Sequence, residues 1–274
     1  VIHDVRDGTR DWQAMRLRAI EAKQYVTSSP TKIFSREEIA EYSEFLDYLY
    51  DNNFTFLGCR SYHFSNKNGH VSSTVVKGSG LGLLADDRKP AYISETGSPL
   101  PTAYQKLRTQ MPPLYISKVN RISTVHRRVP LDAVSVHHFD EDGQVVGETL
   151  FIGLFTSVTY SRSLRSIPLL KYKADTVIKA SGFEPASHDG RALRHILEKY
   201  PRDELFQTTI AELRATCASI LRLQERQRIA LYCRKDLFGR YVSCLVYVPR
   251  GRYETRLRLA FQDILEQELG GACT

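Results

Sequence analysis

The sequence predicts an α+β protein: an antiparallel sheet with a few helices, a helical connector, and the first part of a second, smaller β-β-α unit. Three observations carry this expectation. Ser35 followed three positions later by Glu38 is a capping box, and it precedes Ile39, Tyr42, Phe45, Leu46 and Leu49 at helical spacing. The runs "LDAVSVHHFD" and "QVVGETLFIGLFT" flank the turn residues Glu141-Asp142-Gly143, the pattern of a β-hairpin. Helical periodicity returns after about residue 166 and yields, near residue 226, to another pair of strand-like runs.

In chain order, residues 10 to 26 have a helical pattern without a capped start, so the helix is expected to continue an element that begins upstream. "TSSP" (27–30) reads as a linker, and the capped helix follows until Asn52-Asn53. Strands are expected at "FTFLGCRSYHF" (54–64), "VSSTVV" (71–76) and "PLYISKV" (113–119), with a short helix near 101 to 110 and the hairpin after it. "SIPLLKYKADTVIKASG" is a helix stopped by Gly182, and Ser187 N-caps "HDGRALRHILEKY". One further helix is expected through "DELFQTTIAELRATCASILRL". "RIALYCRKD" and "RYVSCLVYVP" form a last hairpin, followed by an amphipathic helix with Leu257, Phe261, Ile264 and Leu265 on one side. A β-β-α unit usually pairs with another strand, so this last unit is expected to be truncated.

Composition excludes several function classes. The net charge of +7 comes from basic residues interleaved with 31 acidic ones, which gives a mild attraction to anions but no dedicated nucleic-acid surface. No apolar run approaches the roughly 20 residues of a membrane span. Five scattered cysteines without a Cys-x-x-Cys pair argue for free thiols in a reducing, cytoplasmic setting, and against a zinc site. Cys233 and Cys244 face each other across the last hairpin and are expected to be packed thiols.

Chemical motifs are few. "GSGLGLL" (78–84) places its third glycine one position too early for a dinucleotide fingerprint, opens no helix, and has no Gly-Lys-Ser/Thr, so a tight backbone passage is expected rather than a phosphate cradle. "SHDG" (187–190) is a helix cap, not a triad, because a nucleophilic triad converges from distant positions. No catalytic, cofactor-binding or metal-binding residues are expected. The most suggestive stretch is "SKVNRISTVHRRVP" (117–130). Arg121, Ser123, Thr124, His126 and Arg127 combine guanidinium forks with hydroxyl donors, a set suited to a carboxylate. The alternative is a solvated basic edge that blocks strand pairing.

Several stretches ("FTFLGCRSYHF", "GSGLGLL", "SKVNRISTVHRRVPLDAVSVHHFDEDGQVVGETLFIGLFTSVTYSRS", "IPLLKYKADTVIKASGFEPASHDGRALRHILEKYPRDELFQ" and "CRKDLFGRYVSCLVYVPRGRYETRLR") resemble the large NAD-specific glutamate dehydrogenases of bacteria. The resemblance implies a piece of the N-terminal region, built from ACT-like and PAS-like modules. It implies the end of an ACT-like domain and linker at 1–34, an ACT-like or PAS-like sheet domain at 35–165, a helical connector at 166–225, and the start of a further ACT-like domain at 226–274. The family's catalytic lysine and nucleotide glycines have no matching positions, so NAD is expected in the parent enzyme and not here. The implied role is regulation or assembly: an amino-acid effector whose carboxylate pairs with Arg121 or Arg127, or a scaffold without a ligand. The implied partners are the rest of the parent chain and further copies of it, with neither nucleic acid nor membrane. Family members usually carry Tyr where this chain has Cys59.

Overall fold

In the computed structural model, residues 2–67, 70–86, 111–223, 228–237 and 239–273 are described. The helix expected over 10–26 is two pieces, α2 (Trp12–Glu21) and α3 (Lys23–Thr27), preceded by α1 (Ile2–Arg10). The break at Asp11 has a tertiary cause. Its carboxylate accepts the Gly82 amide at 3.0 Å and bonds Arg10, and its backbone leaves the helical region at φ −107°, ψ 17°. Met15, Ala19, Ala22 and Val26 form the buried inner stripe. In α4 (Arg36–Tyr48) both halves of the capping box are made: Glu38 N–H donates to Ser35 Oγ (3.1 Å), and Ser35 N–H donates to Glu38 Oε2 (3.0 Å).

The sheet comprises β1 (Phe54–Lys67), β2 (His70–Val75), β3 (Leu81–Gly82), β4 (Leu114–Ile122), β5 (Pro130–Phe139) and β6 (Val145–Phe155). All its pairings are antiparallel, in the order β2-β1-β6-β5-β4, with β3 paired to β1. The first long strand of the sheet, β1, lies beside the last, β6. The helix expected near 101 to 110 lies outside the described residues.

Both faces of the sheet are covered, so its central strands read as nearly continuous apolar runs rather than alternating ones. One face (Phe54, Phe56, Cys59, Val134, Val136, Phe151, Phe155) shares a core with α2–α4 and the helical connector. The other gathers Leu57, Tyr62, Phe64, Leu131, Ala133, Leu150 and Ile152. "GSGLGLL" is the tight passage expected of it. Gly82 has φ +59°, and a Cβ there would lie 2.4 Å from the Leu57 carbonyl oxygen. Its amide donates to the Asp11 carboxylate at 3.0 Å.

After α5 (Ser157–Ser161), the connector runs through α6 (Leu170–Ser181), α7 (His188–Lys199), α8 (Arg202–Gln207) and α9 (Ile210–Leu223). Gly182 ends α6 with φ 70°, and Ser187 caps α7 by accepting Gly190 N–H at 3.0 Å. The single helix expected from Asp203 onward is two. Thr209 Oγ1 accepts Glu212 N–H (3.2 Å) while the Glu212 carboxylate accepts Thr209 N–H (2.9 Å), a second capping box that restarts the chain as α9. Phe206 of α8 stacks on Phe155 of β6, with ring centroids 4.5 Å apart, so connector and sheet share one core. The chain closes with β7 (Ala230–Lys235), β8 (Val242–Tyr247) and α10 (Thr255–Leu269). No residue of α10 is buried, and Ile264 of its expected apolar stripe is 54% exposed.

Candidate functional site: a buried ionic junction

Charged side chains in a buried strand or helix cost several kcal/mol unless they are paired. Helix α8 collects an unusual number of them. Lys118 of β4 and Asp132 of β5 are register partners, and Lys118 Nζ lies 2.6 Å from Asp132 Oδ1 and 3.1 Å from Asp203 Oδ1 of α8. Asp132 Oδ2 also accepts the Phe155 amide (3.1 Å), and the Tyr160 hydroxyl donates to Asp203 (3.0 Å). Burial raises the Asp132 pKa, opposed by Lys118. Burial works against the Lys118 charge too, but Asp132 and Asp203 outweigh it and its pKa is raised.

The neighbouring residue, Glu204, faces the last hairpin. Arg234 of β7 donates to it through Nε (2.9 Å) and Nη2 (2.8 Å), the bidentate fork that makes Arg–carboxylate pairs specific. Gln207 accepts from Arg234 (3.3 Å) and from the Tyr241 hydroxyl. The C-terminal carbonyls of α8 are capped by Lys173 of α6, whose Nζ donates to the oxygens of Leu205, Phe206 and Thr208 at 2.8, 2.9 and 2.8 Å. Burial, then the Arg234 charge, lowers the Lys173 pKa to about 7. Sheet, connector and terminal hairpin therefore all grip one six-residue helix through charge.

A second polar group crosses the sheet face that the connector does not cover. Tyr62, Glu148 and His137 are direct cross-strand neighbours on β1, β6 and β5. Burial pushes the Glu148 carboxyl up to about 7, against a hydrogen bond from Ser135, and pulls His137 down to about 4. His137 Nδ1 is 2.6 Å from the Pro112 carbonyl oxygen, which assigns the ring proton to Nδ1. Its Nε2 lies 4.0 Å from Glu148. Beside them, Arg60 donates to the Leu84 and Asp86 carbonyls. This row can take up or release a proton near neutral pH.

The loop expected to hold a carboxylate is arranged as follows. Arg121 falls in β4, and its side chain lies outside those described. Ser123 Oγ donates to Val125 O (2.6 Å) and accepts Val125 N–H (3.1 Å), closing its own turn. Arg127 reaches back to the Phe155 carbonyl (2.5 Å) and lies over the Tyr160 ring. His126 is exposed with φ 67°. Thr124 donates to Asp4 Oδ2 at 2.7 Å. Ser123 and Arg127 thus engage the chain's own backbone, while Thr124 already holds a carboxylate. Asp132, Glu148, Lys173, Asp203, Glu204 and Arg234 escaped the sequence reading. For Asp132 and Glu148 the signal was present, since each is a carboxylate inside an apolar strand run, where ionised groups need partners.

Comparison with family models matches two stretches in the C-terminal part of the chain. The family model for "Glutamate dehydrogenase, helical motif 1" matches residues 167–226, and that for "Glutamate dehydrogenase, ACT2 domain" matches residues 230–274. An NAD-specific glutamate dehydrogenase of Halomonas elongata is 36% identical over 270 residues, 98% of this chain and 17% of that protein. The Pseudomonas aeruginosa enzyme of the same name is 35% identical over 269 residues, 98% of this chain and 16% of its own. That of Mycobacterium tuberculosis is 30% identical over 278 residues, 99% and 16%. The chain spans about one sixth of the length of these curated relatives. A solved structure, the periplasmic sensory domain of the Campylobacter jejuni chemoreceptor Tlp1, aligns over 90% of this chain and 93% of its own at 11% identity, but its TM-score of 0.23 carries no argument about fold. Among the described residues no helix is long and apolar enough to cross a membrane. Along nearly its whole length the chain is thus similar to part of the NAD-specific glutamate dehydrogenases, and it matches their helical motif 1 and ACT2 domain over 167–226 and 230–274.

Proposed function

We propose that this chain is a non-catalytic regulatory and assembly segment of an NAD-dependent glutamate dehydrogenase. The parent reaction would convert L-glutamate, NAD and water to 2-oxoglutarate, ammonium and NADH, with NAD bound elsewhere in the parent chain. One observation carries the reading: the identity to NAD-specific glutamate dehydrogenases extends along 98% of this chain while covering about one sixth of theirs. Within the segment we assign a sensing unit to 35–165, a connector to 166–225 and an ACT-like unit to 226–274. The α8 junction gives a physical route between them, because a shift of the sheet at Lys118 moves Asp203, and Glu204 beside it moves Arg234 of the hairpin.

The effector in this reading is an amino acid. Its carboxylate takes the place that Asp4 holds at Thr124, within the basic stretch 117–130. Calorimetry of the 274-residue chain with the proteinogenic amino acids, NAD and nucleotides tests this. Heat with one amino acid, reduced by Thr124→Val, is the expected result. No heat with any ligand leaves the second reading, an assembly scaffold without an effector. The exposed apolar residues of α10 (Leu259, Ile264, Leu269) favour that scaffold reading. Light scattering separates the two, since a chain that binds nothing and stays monomeric at high concentration would sink both.

A further inference from the structure

Cys233 and Cys244 are register partners across the β7–β8 hairpin, and their sulfurs lie 3.6 Å apart with no bond between them. Paired residues of antiparallel strands have Cα atoms about 4.5–5.5 Å apart, inside the roughly 4.4–6.8 Å that a disulfide spans. Closing the sulfurs to about 2.05 Å therefore asks for side-chain rotation rather than movement of the strands. Cys233 is exposed and Cys244 half-buried, so a small oxidant reaches the pair. Cys59 and Cys217, in contrast, are fully buried. The alternation of β7 puts Tyr232 and Arg234 on its other face, where Tyr232 bonds Ser219 and Arg234 bonds Glu204, so a bond at 233–244 leaves the docking of the hairpin intact.

We propose that Cys233 and Cys244 are a reversible thiol-oxidation site that closes to a cross-strand disulfide when it meets a hydroperoxide. The more exposed Cys233, as thiolate, attacks the peroxide oxygen. The O–O bond breaks, the distal oxygen leaves with a proton as water or alcohol, and Cys233 becomes a sulfenic acid. Cys244 sulfur then attacks the sulfenic sulfur, its proton leaves with the hydroxyl as a second water, and the S–S bond forms. Two thiols lose two electrons in all, and the peroxide gains them. A dithiol reverses the step by exchange.

The 274-residue chain offers a direct assay. Arg234, Lys235 and Arg240 lie between the two cysteines, so trypsin releases 229–234 and 241–250 as separate peptides that stay together only through a disulfide. The reduced chain is treated with hydrogen peroxide, its remaining thiols are alkylated, and the digest is read by mass spectrometry. The expected result is the linked pair, from monomeric chain, lost on adding dithiothreitol, retained in Cys273→Ser and absent in Cys244→Ser. Recovery of both cysteines separately alkylated, their over-oxidation to sulfinic or sulfonic acids, or predominant linkage to Cys273 or between chains would overturn the proposal.

Discussion

Arg234 of β7 holds Glu204 of α8 through two hydrogen bonds, 2.9 and 2.8 Å long, at a seam where both side chains are about nine-tenths buried. The hairpin reaches the rest of the chain through this grip, through Tyr232 on Ser219 and Tyr241 on Gln207, and through Tyr232, Leu245 and Tyr247 packed against the core. Removing one member of a buried ion pair strands the other, which costs about 3–5 kcal/mol. Arg234→Met is therefore expected to lower stability by that order and to speed amide exchange across Ala230–Tyr247. Adding Glu204→Leu should restore much of the loss, because neither charge is then left unpaired. Urea unfolding of the single and double variants checks this, and a single-variant loss below about 1 kcal/mol would show that the pair does not hold the hairpin.

Lys118→Met should act at the other side of the same helix. Asp132 and Asp203 lose their shared cation, and Asp132, already raised by burial, is raised further. A carboxyl with a raised folded pKa contributes stability below its ordinary range and loses it as pH rises. The deficit of this variant, about 3 kcal/mol at neutral pH, should shrink as the solution is acidified toward the ordinary carboxylate range. Chemical unfolding at several pH values reads it, and a deficit independent of pH would rule out this origin.

Glu148→Gln isolates the polar row of the sheet. With a folded pKa of about 7 against an ordinary 4.5, the wild-type carboxyl costs nothing below pH 4.5 and its full penalty above pH 7. That penalty is about 3 kcal/mol at 1.36 kcal/mol per pKa unit. Relative to wild type, the variant should gain stability as pH rises from 4.5 to 7 and then level off. The depressed pKa values of His137 and His138, both about 4, act with the opposite sign between pH 4 and 6.5. His138 cancels when variant and wild type are subtracted, while His137, 4.0 Å from Glu148, is coupled to it, so the difference curve reads that pair and a flat curve would refute the assignment.

Gly82→Ala and Gly78→Ala form a controlled pair. Both glycines have positive φ, at +59° and +75°, but only at Gly82 would a Cβ strike backbone, 2.4 Å from Leu57 O. Gly78→Ala should cost about 1 kcal/mol of conformational strain. Gly82→Ala should cost about 2 kcal/mol or more beyond that, since it displaces β3 from β1 and pulls the amide away from Asp11. Thermal melts of the two variants decide it, and equal shifts would mean that the close approach carries no energy.

Local signals were enough to mark most elements. The Ser35–Glu38 box, the Gly143 turn, the Gly182 stop and the Ser187 cap each act within a few residues, so they are legible without the fold. The split at Thr209 was legible in the same way, because Thr209 and Glu212 spell a capping box inside what otherwise looked like one helix. The break at Asp11 was not legible, because the carboxylate answers to an amide 71 residues away. By itself the sequence determined the α+β class, the hairpins, the tight passage at Gly82 and the similarity to glutamate dehydrogenases. Only the tertiary structure decided the strand order β2-β1-β6-β5-β4 and the junction on α8. Strand order and ion pairing depend on which distant residues meet across a core, and Lys118, Asp132, Asp203, Glu204 and Arg234 come from four separate elements that no local rule relates.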